Sequence, residues 1–290
     1  MKVGDIVIHP KMPELGVGII LEMRRGSQPG LIAYTRWDSA PAKGFMESFL
    51  QLAPAGTPIP KKFEQPFNER VNQKSTPFNV LVDRFLQQYP AGCDDPKFIQ
   101  EERFYKEKAS AHFNSALGPQ QRTALLEQKR FAEIVSLALE AFGPKHTNLL
   151  YPRFDGEYPR LKNGLQDAKM HEHFAHALCS LLDDTADKQK AFDAYADFLG
   201  EIGADAWANA TMPLFFADYE KYIFVKSTIF QHAADSCDYR IDSSKPITWQ
   251  KYNNILSFAS YLKTKLDRTD KIRVNDMIDL QGFIYVAVTR

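Results

Sequence analysis

Two hydrophobic periods divide the chain. Over residues 2–52, short runs of β-branched and aliphatic residues, Ile6-Val7-Ile8, Val17-Gly18-Ile19-Ile20-Leu21 and Leu31-Ile32-Ala33-Tyr34, alternate with glycine and proline turns. Runs of this length bounded by turn residues predict β-strands, and several in close succession predict a small β-barrel. From Pro54 to Pro77 no period holds. Pro54, Pro58, Pro60, Pro66 and Pro77 fall there among lysines and polar residues. Proline supplies no ladder hydrogen bond and keeps its predecessor out of the α region, so this stretch reads as a semi-extended linker.

After Phe78 the apolar positions recur at helical spacing. Asp95-Pro96 predicts a helix start, with aspartate as N-cap and proline at the first helical position, where its missing N–H costs nothing. Leu125, Phe131, Val135, Leu139 and Phe142 share one face of a single helix opened by Pro119 and closed by Gly143-Pro144. Further stripes fall at Met170, Phe174, Ala177, Leu178 and Leu181, and at Phe192, Tyr195, Leu199 and Ile202. Two helices end the chain, one over 249–266 and one starting near Asn275 that carries Met277, Ile278, Phe283 and Val286 inward. No internal repeat is apparent, which disfavours a solenoid. The predicted class is therefore α+β: a β-barrel over 1–53, a linker over 54–77 and a larger all-helical domain over 78–290.

Composition narrows the function classes. Apolar residues make up 44% of the chain and charged residues 25%, a balance able to bury a core. Lysine plus arginine and aspartate plus glutamate each total 36, so no global field draws the protein to nucleic acid or to an anionic membrane. No apolar run approaches the length of a membrane span, and the first residues lack the apolar core of a signal peptide. A cytoplasmic protein is expected, with no membrane partner. Cys93, Cys179 and Cys237 are odd in number and far apart, and are read as reduced, buried thiols.

The strongest local signal is Gly4-Asp5-Ile6-Val7-Ile8-His9-Pro10 followed by Gly16-Val17-Gly18-Ile19-Ile20. Gly4-Asp5 suits a turn into a strand, and the two later glycines make room where a side chain would meet the neighbouring strand. The pattern resembles the SH3/Tudor-like module of the CarD family and of the transcription-repair coupling factor, and the small C-terminal domain of UvrD/PcrA-type helicases. It covers about the first 53 residues. The resemblance implies a barrel that docks on RNA polymerase or on another protein of DNA metabolism. Five residues separate Pro10 from Gly16, a longer first turn than the family pattern. Glu101-Glu102-Arg103-Phe104-Tyr105-Lys106, Asn148-Leu149-Leu150, Phe224-Val225-Lys226-Ser227-Thr228 and the run from Asp276 to Ile284 resemble landmarks of a bacterial helical family, which implies a fold unit and no mechanism.

Within the module, Lys2, Lys11, Arg24, Arg25, Arg36 and Lys43 face Asp5, Glu14, Glu22, Asp38 and Glu47, an excess of one positive charge. A phosphate-binding barrel would carry more. Arg24, Arg25, Tyr34, Arg36 and Trp37 form the candidate partner-binding set, a small basic-aromatic face. The same residues also fit a hairpin with a solvated tip and Trp37 covering the barrel mouth.

In the helical part, His171-Glu172-His173-Phe174-Ala175-His176 invites a metal reading through Glu172, His173 and His176. The zincin spacing fails, because the position four after His171 is Ala175, and a polar helix face with one histidine at the core boundary explains the run more simply. No metal or cofactor is expected. Glu127-Gln128-Lys129 has a nuclease-like acidic-x-basic form but is expected inside a helix, where such a site lacks its strand end. Arg103, Tyr105, Lys106, Lys108 and His112 suggest a nucleic-acid track, yet interleaved Glu101, Glu102 and Glu107 predict intrahelical ion pairs instead. The leading expectation is a non-enzymatic adaptor docking on a protein of transcription or DNA repair. The alternatives are a nuclease or metal-dependent hydrolase working from the helical domain, and direct nucleic-acid binding.

Overall fold

The computed structural model describes residues 1–25, 31–39, 43–54, 56–60, 63 and 76–289. It has a mixed α+β architecture in two compact units, Met1–Lys74 and Ser75–Arg290. The division falls inside the proline-rich stretch. Of that stretch, Thr57 turns back onto the Pro54 carbonyl, and Phe63 is buried with the Arg36 guanidinium 5.5 Å from its ring centroid.

The first unit is a curled five-stranded antiparallel half-barrel with strand order β4-β3-β2-β1-β5. Its strands are β1 Ile6–Ile8, β2 Val17–Arg25, β3 Leu31–Trp37, β4 Lys43–Met46 and β5 Gln51–Leu52. The register of β2 against β3 slips between Ile20 and Glu22, an irregularity of the kind that bends a strand and tightens its twist. Along β3 the buried positions alternate: Ala33, Thr35 and Trp37 face the interior, while Ile32, Tyr34 and Arg36 face outward. Val7, Leu15, Ile20, Ala33, Trp37 and Leu50 form the core. Gly18 pairs with Trp37, and a Cβ at Gly18 would stand 2.8 Å from the indole, so the glycine is what admits the tryptophan.

The second unit is helical, with no strand among its described residues. It comprises α1 Phe78–Gln88, α2 Pro96–Phe98, α3 Phe104–Leu117, α4 Pro119–Glu127, α5 Phe131–Phe142, α6 Glu157–Gly164, α7 His171–Leu181, α8 Lys188–Glu201, α9 Trp207–Ala217, α10 Ser227–Asp235, α11 Trp249–Asp267 and α12 Met277–Thr289. Every residue of α9 from Trp207 to Phe216 is buried, which makes it the central helix. Helices α3, α6 and α8 pack on it; α5 packs on α3 and α7, and α12 on α1 and α10. One contiguous apolar core joins them. No helix of the described residues is long and apolar enough to cross a membrane.

Two local expectations are corrected. The helix predicted from Pro119 to Phe142 is two helices, because Lys129 takes a left-handed φ of 56° and the chain turns between Glu127 and Phe131. Glu127-Gln128-Lys129 is thus a helix end rather than a helix interior. The last helix, expected to start near Asn275, begins one residue later with Asp276 as its cap: the Asp276 carboxylate accepts from the backbone N–H of Ile278 at 2.9 Å and of Asp279 at 3.1 Å. The Asp95 cap stands as predicted, accepting from Lys97 N at 2.9 Å. Between α2 and α3, residues Ile99–Arg103 form a π-helical turn, which shifts the side-chain register before α3 begins.

Candidate functional site

The basic-aromatic set of the half-barrel does not form one surface. Trp37 is 1% exposed and meets Phe45 edge-on at 5.5 Å, so it belongs to the core and is no surface anchor. Tyr34 and Arg36 lie on the opposite face of β3, both half-buried. The side chains of Arg24 and Arg25 fall outside the described residues. Beside exposed polar residues such as Lys11, Glu14 and Gln51, the half-barrel exposes large apolar side chains. Phe49 is 57% exposed and Leu52 is 61% exposed, and Leu52 lies in the short edge strand β5. His9, from the Gly4-to-Pro10 run, is buried with Phe45 at 4.7 Å and Phe49 at 6.5 Å between ring centroids, so it supports the base of that edge.

In the helical unit the histidine run on α7 is dispersed. His171 Nε2 lies 3.0 Å from the Leu165 carbonyl, which only accepts, so the ring carries its proton there. His173 faces α8, edge-on to Phe198 and 3.3 Å from Glu201 Oε2, with half of its side chain exposed. His176 faces α5, 5.4 Å from the Phe131 ring. Glu172 is exposed. Glu172, His173 and His176 therefore do not converge on one point.

The structure concentrates charge elsewhere, at the π-helical turn. Arg103 reaches α12 and forks onto two carboxylates, with Nη2 2.6 Å from Asp276 Oδ2 and Nη1 2.7 Å from Asp279 Oδ1, while its Nε donates to Glu107 at 2.7 Å. Asp279 Oδ2 accepts from the backbone and side-chain N–H groups of Asn275, each at 3.0 Å. Burial holds the Asp279 carboxyl above the usual carboxylate range despite these partners. One turn on, buried Lys106 pairs with Glu102 at 3.1 Å. Intrahelical ion pairs were expected among these residues; they form at 102/106 and 103/107, and they commit Arg103 and Lys106 to carboxylates of the fold. No buried side-chain atom of the network lacks a hydrogen-bond partner among the described residues, so the network is architectural. Beside Glu107 opens a polar cleft of about 330 Å³ lined by Ser110, Asn114, Asp218, Tyr219 and Glu220. Ser110 and Asn114 both spend their polar groups on the Phe216 carbonyl.

A third cluster was not visible in the sequence. His112 of α3 stacks on His146, just past α5, with ring centroids 4.0 Å apart and planes 6° from parallel. Glu140 of α5 places Oε1 3.5 Å from His146 Nε2. One ligand atom from each of the three lies within 4.8 Å of the others. The Nε2 atoms of both histidines are buried and have no hydrogen-bond partner among the described residues. Lys145 contacts the same Glu140 oxygen at 3.3 Å from a largely exposed position, and this pair holds the carboxyl below its usual range.

The three cysteines are free and buried. Burial pushes the thiols of Cys179 and Cys237 up to about 11 and that of Cys93 higher still. Comparison with models of known protein families, with curated proteins and with solved structures finds no match to this chain.

Proposed function

We propose that this chain is a non-enzymatic adaptor whose N-terminal half-barrel is an SH3/Tudor-like docking module for a protein of transcription or DNA repair, RNA polymerase foremost. The observation that carries the reading is the apolar edge of a near-neutral sheet: Phe49 and Leu52 stand exposed beside β5, in a module with one excess positive charge. Large apolar side chains at a strand edge suit strand addition or a small hydrophobic contact with a protein, and a balanced charge does not suit a phosphate backbone. The strand order β4-β3-β2-β1-β5 and the resemblance of Gly4-to-Pro10 and Gly16-to-Ile20 to polymerase-binding modules agree with this assignment. An enzyme built on Glu172, His173 and His176 finds no support, since those side chains face different neighbours.

The test is the affinity of the full chain for immobilised RNA polymerase and for purified repair proteins, compared with a Phe49→Ser/Leu52→Ser variant. Loss of two central apolar contacts weakens capture by about tenfold or more, each such contact contributing roughly 1–2 kcal/mol. Trp37→Ala is unsuited to this purpose because it removes core. Capture that is unchanged in the double variant, or undetectable for every such partner, refutes the assignment.

A further inference from the structure

We propose that His112, Glu140 and His146 form a binding site for one divalent cation of the zinc class in the helical unit. Two imidazoles and a carboxylate are the ligand types such borderline cations select, and three protein ligands leave one coordination position open to solvent. The half-exposed Glu140 places that open position at the surface.

Three features point to a ligand rather than to an incidental cluster. First, both Nε2 atoms are withdrawn from solvent without a hydrogen-bond partner among the described residues, a costly arrangement for two polar atoms side by side. A cation satisfies both at once. Second, the contact of 3.5 Å between His146 Nε2 and Glu140 Oε1 is long for a hydrogen bond, yet it is close to the edge of about 3.3 Å that a tetrahedron with bonds of 2.0–2.1 Å requires. Third, the ligands come from separate structural elements. His112 is fixed on α3, Glu140 on α5, and His146 on the turn that follows, where its N–H is held by the Gly143 carbonyl at 3.0 Å. Two of the three ligands therefore sit on packed helices and the third on a hydrogen-bonded turn.

Coordination needs limited movement. The ring planes lie 6° from parallel and each nitrogen lone pair lies in its own ring plane, so one ring must tilt about its Cβ–Cγ bond for both to converge on one ion. Among the described residues neither Nε2 has a hydrogen bond within normal length to give up, and the 3.5 Å approach of His146 to Glu140 is kept as a ligand–ligand edge. The ligand atoms, all within 4.8 Å of one another, close by up to about 1.5 Å to reach tetrahedral edges. Glu140, the most exposed of the three, is the freest to move. Lys145 leaves the carboxylate as the ion enters, and it is solvated enough to do so.

The experiment uses the full chain, purified without a tag and stripped with EDTA, titrated with Co²⁺ and then with Zn²⁺ as competitor. One Co²⁺ per chain with the visible absorption of a tetrahedral ion, displaced by Zn²⁺, is expected. His146→Asn lowers affinity by more than about 100-fold, exceeding the 10–100-fold that losing even a group behind a ligand costs. Glu140→Gln, at a half-exposed position where folding is not at stake, lowers it at least tenfold, and His173→Ala/His176→Ala leaves it unchanged. Absence of stoichiometric binding overturns the proposal. So does binding that survives both His146→Asn and Glu140→Gln, or that disappears with the His173/His176 variant.

Discussion

Arg103→Met removes the cation that joins the π-helical turn to α12. The guanidinium makes charge-assisted bonds to Asp276 and Asp279, whose side chains are 3% and 0% exposed. Taking away one partner of a buried ionic group leaves the remaining charge uncompensated at a cost of about 3–5 kcal/mol. Two carboxylates are stranded here, so the upper part of that range applies. Adding Asp276→Asn and Asp279→Asn to Arg103→Met removes the stranded charge while keeping an acceptor for the backbone N–H groups of Ile278 and Asn275. A neutral replacement of a buried ionic set is often close to neutral, so the triple variant regains about 2 kcal/mol or more. Urea unfolding followed by far-UV circular dichroism reads the helical unit, to which every α-helix of the described residues belongs. The pH dependence supplies a second check. Burial raises the Asp279 pKa on folding, so its contribution favours the folded state at low pH and is lost as pH rises through the raised value. Without Arg103 the raised value climbs further, so the deficit of Arg103→Met narrows as the pH is lowered. A deficit under about 0.5 kcal/mol, within the range of ordinary surface substitutions, or no recovery in the triple variant, refutes the reasoning.

Two further outcomes follow from packing and burial. Gly282→Ala sets a Cβ 2.8 Å from the Phe98 ring; alanine's helix preference of about 1 kcal/mol is outweighed by overpacking of about 1–3 kcal/mol, so the melting temperature falls rather than rises. The three thiols resist a disulfide reagent at about pH 8, where groups titrating near 11 hold well under about 1% thiolate, and all three react once urea unfolds the chain; fast reaction in the native state contradicts their burial.

Much of the architecture was legible because local chemistry and tertiary context agreed. The strands at Ile6–Ile8, Val17–Arg25 and Leu31–Trp37 follow the β-branched runs, and Gly18 marks the place where Trp37 lies against its neighbour. Asp95-Pro96 announced its helix. The break at Lys129 was hidden, since Glu127-Gln128-Lys129-Arg130 contains neither glycine nor proline and its helix-forming residues are overruled by packing. The candidate sites were harder to see. Arg103 and Asp276 are 173 residues apart, and the segments around them were visible only as two separate landmarks. His112, Glu140 and His146 follow no ligand spacing and meet only because α3 packs on α5. The contiguous His171-to-His176 run is split by helical geometry between α8 and α5.

The proposed docking of the half-barrel on protein through an apolar edge is decided by the salt dependence of full-length binding to RNA polymerase, measured beside binding to duplex and single-stranded DNA. Polymerase affinity is expected to change by less than about threefold between about 50 and about 200 mM salt, since apolar contacts are barely screened, and to fall in Phe49→Ser/Leu52→Ser. DNA binding that is tight at low salt, drops by about 10³-fold over the same range and ignores the double variant would contradict the proposed docking, because phosphate contacts would then carry the interaction.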